Sequence, residues 1–227
     1  MNDTLAAESV GSRQRLSTIE LLVAITALFV LFPFIENLKS AGLIESILLT
    51  VVLVAAVAAI AGRGNVLIIA VVLALPALAG RWINYYRPDL LPPELFLISA
   101  IVFTAFVIAN LLQFVLKAPS VTTEVLCAGI SAYLLLALLW TFGYWLVAEL
   151  TPDAFAFNAS IKGEMSIKGF DGLYFSTITL CTVGYGDISP VSKVARMLAA
   201  MEAITGPLYL AVLIARLVSL YGAPKTS

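Results

Sequence analysis

The sequence has no histidine and only two cysteines, and charged residues make up just 12% of its 227 positions. Without histidine, the commonest general base and metal ligand is missing. Cys127 and Cys181 stand in apolar surroundings and form neither a disulfide framework nor a metal spacing. A soluble domain of this length carries about twice that charged fraction. Lys and Arg number 13 and Asp and Glu 14, scattered singly, so no basic patch invites nucleic acid. The chain is instead 61% hydrophobic, and the apolar residues gather in long runs with few charges. Such runs read as membrane-spanning helices and exclude a soluble enzyme, a disordered tail or a secreted disulfide scaffold.

Residues 1–17 are polar, with Arg13 and Arg15 just ahead of the first apolar run. A secretory signal competes for 21–35, but no small-residue cleavage site comes after it, which favours an uncleaved span over about 18–38. Spans two and three cover about 41–61 and 65–83, joined through Gly62-Arg63-Gly64-Asn65, a tight turn that makes them an antiparallel hairpin. The loop 81–94 sets Trp82, Tyr85 and Tyr86 at an interface, and its prolines forbid helix. Span four, about 95–116, stops at Lys117-Ala118-Pro119. Residues 120–129 read as a short interfacial helix with Val121, Val125 and Leu126 on one face; the alternative is an extension of span five, about 130–150. In the loop after span five, Asn158-Ala159-Ser160 matches a glycosylation acceptor and is read as a chance tripeptide. Span six covers about 192–221, and the tail 222–227 is too short for a nucleotide- or calcium-binding gating domain.

The apolar segment 171–182 fits no span. As a helix it reaches roughly 18 Å, against about 30 Å of hydrocarbon. With Asp171 as its N-cap it reads as re-entrant, and non-helical backbone at that depth must be buried in protein or line a watery cavity. The chain continues with Thr182-Val183-Gly184-Tyr185-Gly186-Asp187. Stripping water from a cation requires several successive carbonyls on one side, which glycines accepting positive φ allow. Gly184 and Gly186 are spaced for that, Thr182 adds a hydroxyl, and the short helix aims its partly negative C-terminus at the path.

In this motif and its setting the chain resembles the tetrameric potassium channels, with their four TVGYG loops. The resemblance covers about 120–221 and implies an all-α integral membrane protein of six transmembrane helices, a re-entrant pore helix and a filter loop. By resemblance the carbonyls of Thr182, Val183, Gly184 and Tyr185, with the Thr182 hydroxyl, hold dehydrated potassium ions; Gly186 and Asp187 form the outer mouth. Tyr185 would pack sideways on Tyr174 and Phe175. One row of carbonyls cannot surround an ion, so a fourfold homotetramer is expected. Gly206 matches the family's inner-helix gating hinge, with Pro207 adding a kink, although close helix packing needs the same missing side chain. Glu202, one turn earlier, is a buried carboxyl behind the filter: a pH sensor or, preferred, a structural acid bonded to Ser176, Thr177 or Thr179. Arg216 is expected to snorkel to the interface.

Six spans are the layout of voltage-gated relatives, whose fourth span carries arginines because each charge gains about 2.3 kcal/mol per 100 mV. Here 95–116 contains no Arg, Lys, Asp or Glu, so 18–117 is a four-helix domain without gating charges. Basic residues divide almost evenly between the two sides, and the termini are placed in the cytoplasm because the relatives' filter mouths face outward. The function expected is passive potassium conduction across the plasma or cell inner membrane, with potassium as permeant ion, no cofactor, and self, lipid and potassium as partners. Its rivals are a non-conducting or regulatory subunit and, from another class, a secondary transporter, for which inverted repeats and polar residues in the first four spans are wanting. No intramembrane catalytic cluster suggests an enzyme.

Overall fold

The computed structural model describes residues 2–35, 38–61, 65–158 and 166–221, with side chains from residue 17 onward except those of Asn65 and Tyr221. The turn at 62–64, the acceptor tripeptide beyond Asn158 and the tail 222–227 lie outside the described residues. Helices α1 (Asn2–Ile35), α2 (Ala41–Ile60), α3 (Asn65–Tyr86), α4 (Pro93–Lys117) and α5 (Thr123–Leu150) are followed by strand β1 (Phe155–Phe157). Then come the short α6 (Phe170–Leu180), strand β2 (Ile188–Pro190) and α7 (Lys193–Tyr221). Among the described residues six helices, all but α6, are long and apolar enough to cross a membrane.

Prolines and their neighbours set the boundaries. Helix α3 runs through Trp82 and Tyr85 to Tyr86, beyond the expected end near 83, because the first proline of the loop is Pro88. The restriction falls on Arg87, the residue before it. The aromatic trio therefore sits on the last turns of α3, with Trp82 and Tyr86 stacked at 6.0 Å. Trp82 Nε1 donates to Thr50 Oγ1 at 3.1 Å, and Arg81 pairs with Glu45 at 3.1 Å, tying α3 to α2. Helix α4 opens with Pro93 in its first turn, where a missing N–H costs nothing. It closes at Lys117 because Pro119 holds Ala118 extended, at φ −61° and ψ 133°.

The separate interfacial helix expected at 120–129 is not formed. Thr122 is an extended N-cap whose Oγ1 accepts the Val125 N–H, and the helix then continues to Leu150. No proline interrupts 123–150, and Tyr209 and Leu213 of α7 pack on Gly129, so nothing divides the segment.

Helix α5 is the centre of the fold. It packs on α4 and α1 and also on α6 and α7. Leu21, Ile25 and Leu28 of α1, Phe103, Val107 and Leu111 of α4, and Leu135, Leu138 and Phe142 of α5 belong to one continuous core. Its span is 67% buried, whereas that of α7 is only 11% buried. Helix α7 turns one stripe inward, Ala195, Glu202, Gly206 and Tyr209, at the three- to seven-residue intervals of a single helix face. Met197, Met201, Ile204, Leu208 and Val212 stand exposed around the rest.

Candidate ion-conduction site

The short helix α6 is wedged between α5 and α7. Its N-cap is Gly169, at φ 66°, and Asp171 falls in the first turn. Asp171 is thus not the expected cap, although its charge still suits the positive end of the helix. Behind α6, Tyr144, Phe155 and Phe175 meet edge to face, with ring centroids 4.9 to 5.7 Å apart. Burying three rings that pack in this way gives α6 a firm backing.

At its C-terminus α6 unwinds in a specific way. The amides of Val183 and Gly184 both turn back to the Ile178 carbonyl, at 2.8 and 3.2 Å, and Thr182 N–H reaches Thr179 O at 2.9 Å. No peptide bond is cis. In a trans peptide the C=O opposes the N–H. The carbonyls of Thr182 and Val183 therefore both point away from α6, towards the open side of the chain. Positive φ recurs at every second residue: Thr182 at 57°, Gly184 at 55° and Gly186 at 77°. Alternating left- and right-handed backbone cancels the zigzag by which a β-strand sends carbonyls to opposite sides. Thr182 is not glycine, and a left-handed conformation there costs roughly 1–2 kcal/mol. A threonine in this position carries no local signal of that strain.

The C-terminal end of the segment is anchored from three directions. Asp187 Oδ2 accepts the Tyr174 hydroxyl at 2.7 Å, Oδ1 accepts Ile188 N–H at 3.1 Å, and the Asp187 carbonyl accepts Asn158 N–H at 2.8 Å. Beyond it, β1 and β2 pair antiparallel, Phe157 opposite Ile188 and Phe155 opposite Pro190. Burial, followed by the bonded Asp187 carboxylate, pushes the Tyr174 phenol up to about 12, so it stays a donor near neutrality. The sideways packing expected of Tyr185 is not made within the chain, where Tyr185 is 72% exposed. Tyr174 has found an acceptor at Asp187, and Phe175 is drawn into the apolar cluster instead. Removing the phenol in Tyr174→Phe takes one bond from Asp187, on the order of 1.5–3 kcal/mol for a bond to a charged group. Thermal melting of the variant in detergent should show that loss.

The support from α5 and α7 is equally concrete. Glu202 is fully buried; Tyr144 donates to its Oε2, and Ser176 Oγ lies 2.6 Å from Oε1. Of the expected partners only Ser176 engages, since Thr177 bonds the Leu173 carbonyl of its own helix. Gly206 is buried against the end of α6: a Cβ there would stand 1.9 Å from the Leu180 carbonyl oxygen. Helix α7 continues through Pro207 to Tyr221. Arg216 does not snorkel freely, because its Nη2 donates to Ala118 O at 2.8 Å. Pro119 ends α4 there and leaves that carbonyl without a helical partner.

Sequence reasoning brought together Thr182 to Asp187 and Glu202 with Ser176; for Gly206 it offered a hinge or close helix packing without naming α6 as the neighbour. It missed Tyr144, Asn158 and the Arg216 bond. A tyrosine in the aromatic run of α5 and an asparagine in a loop carry no spacing signal, since each acts on a segment far away in sequence.

The model of a family described as "Ion channel" matches residues 121–222. Two-pore potassium channel 3 of Arabidopsis thaliana is 43% identical over 49 residues, 22% of this chain and 11% of that protein. Two pore potassium channel b of Oryza sativa subsp. japonica is 37% identical over 67 residues, 28% of this chain and 19% of that protein. Protein LctB of Bacillus caldotenax is 41% identical over 71 residues, 31% of this chain and 49% of that protein. The chain thus spans less than half the length of each of these relatives. No solved structure matches it significantly. The chain is an integral membrane protein whose residues 121–222 match the family described as "Ion channel", and it is similar over shorter stretches to potassium channels of plants.

Proposed function

We propose that the chain conducts potassium passively, as a homotetramer whose four 182–187 segments form a carbonyl-lined selectivity filter on a common axis. The observation that carries this reading is the pair of amides, Val183 and Gly184, held on Ile178 O, with positive φ alternating at Thr182, Gly184 and Gly186. Carbonyls kept to one side can replace the hydration shell of a potassium ion at sites built by Thr182, Val183, Gly184 and Tyr185, below a mouth of Gly186 and Asp187. The short helix α6 is then re-entrant, with its partly negative C-terminus facing the ion path. In the single chain Val183 and Tyr185 are 52% and 72% exposed and α7 is largely uncovered, which supports further copies closing around them. The termini are assigned to the cytoplasm and the protein to the plasma or cell inner membrane.

Helix α4 holds Glu94 and Lys117 at its ends and no charge between. The pore is therefore not steeply voltage-gated. Gating-current recordings should show almost no charge movement per subunit; several elementary charges would contradict the assignment. The conduction reading is tested by potassium flux into liposomes loaded with the purified tetramer. Potassium-driven uptake is expected, and a tetramer silent under all conditions would favour the regulatory-subunit reading.

A further inference from the structure

The Glu202 carboxyl sits where α5, α6 and α7 meet, and its contacts can be counted in protons. Tyr144 O faces Oε2, Ser176 Oγ lies 2.6 Å from Oε1, and the same Ser176 Oγ lies 2.7 Å from the Ala137 carbonyl oxygen. These are three oxygen–oxygen contacts, and each needs one proton. A tyrosine and a serine hydroxyl supply one each, and a carbonyl can only accept. Ala137 O also receives Thr141 Oγ1 at 2.8 Å, so it has nothing to give. With an ionised Glu202 one contact is left as two bare lone pairs, whichever way Ser176 turns.

We propose that Glu202 supplies the missing proton: it is a neutral carboxylic acid, accepting from Tyr144 on Oε2 and donating through Oε1 to Ser176, which donates to Ala137. Every contact is then satisfied, and the chain of bonds joins α5 to α7, α6 and back to α5. Among the described residues no lysine or arginine pairs with this carboxyl. The titratable groups that face it are Tyr144 and Tyr133, both from α5. A buried carboxylate without a cation is costly, whereas a neutral acid with both oxygens engaged is not.

Glu202 is a positioning residue. Ser176 precedes Ile178 on α6, and Ile178 O orients the amides of Val183 and Gly184. This last link rests on the filter reading proposed above; the protonation does not.

The test pairs Glu202→Gln with Glu202→Ala in the purified tetramer. Glutamine keeps an accepting oxygen for Tyr144 and sets an N–H where the neutral acid carries its proton, at the cost of one further N–H, whereas alanine leaves Tyr144 and Ser176 without their partner. Alanine should cost potassium-over-sodium selectivity and glutamine should restore it. Infrared difference spectra of parent minus Glu202→Gln at neutral pH should show the carbonyl stretch of a protonated carboxylic acid, shifted in deuterated water. Loss of a carboxylate band instead, or a glutamine variant as unselective as alanine, would overturn the proposal. If Glu202→Ala does not assemble, the glutamine comparison and the infrared band still decide. The band is read without any conduction, so an inactive parent would count against the potassium-pore reading and leave the protonation decided.

Discussion

Gly206→Ala is expected to abolish selective conduction and to lower the thermal stability of the assembly. The added methyl would stand 1.9 Å from the Leu180 carbonyl oxygen and 2.9 Å from its carbon, both backbone atoms that no rotamer change can move aside. Either α7 retreats from α6, or Leu180 and the segment that begins just beyond it lift out of place. Overpacking of a well-packed site costs typically about 1–3 kcal/mol, and a backbone collision belongs at the upper end. Retreat of α7 would also pull Glu202 from Ser176 and Tyr209 from the Gly129 carbonyl, which it bonds at 2.6 Å. A pure hinge role predicts something different: a stable, selective tetramer with altered opening. Melting of the tetramer in detergent, followed by selectivity of the surviving fraction, separates the two. Stability at the parent level would count against packing as the reason for glycine at this position.

Gly184→Ala should remove discrimination between potassium and sodium while leaving the fold intact. The reason is not collision, since a Cβ at position 184 meets nothing within 4 Å in the chain. It is the backbone, at φ +55°, a region that costs an L-residue roughly 1–2 kcal/mol. In a fourfold ring that penalty recurs about four times over, beside a Thr182 already in the same region. The cheapest escape rotates the peptide planes and turns a carbonyl off the path. Helical content and tetramer size should match the parent while the potassium-to-sodium permeability ratio falls. Normal selectivity in that variant would mean that these carbonyls do not line the path.

These two glycines mark how far the sequence could be read. The six long helices are legible because apolar runs ended by prolines are a local signal; Pro119 places the end of α4 by constraining the residue before it. The spacing of Gly184 and Gly186 exposes the alternating backbone for the same local reason. Asp171 shows the limit of that logic: an acid at the start of a helix suggests a cap, but the chain enters α6 through Gly169 at positive φ and the acid slips into the first turn. Residues 120–129 show it again, because an amphipathic pattern cannot tell a separate helix from the first turns of a longer one. Tyr144 and Asn158 were beyond reach, since their partners Glu202 and Asp187 lie on other elements and only the fold brings them together. Pairing of β1 with β2 was hidden in the same way: three-residue strands on either side of α6 leave no periodicity to read.

If backbone carbonyls of 182–185 replace the hydration shell of potassium and of no smaller ion, the pore must discriminate against sodium. The quantity to measure is the reversal potential of the purified tetramer in a planar bilayer, with potassium on one side and sodium at equal concentration on the other. Carbonyl replacement of hydration predicts a reversal far from zero, on the side set by potassium leaving its compartment. A reversal at zero, from protein that carries current, would mean that the 182–185 carbonyls do not select potassium.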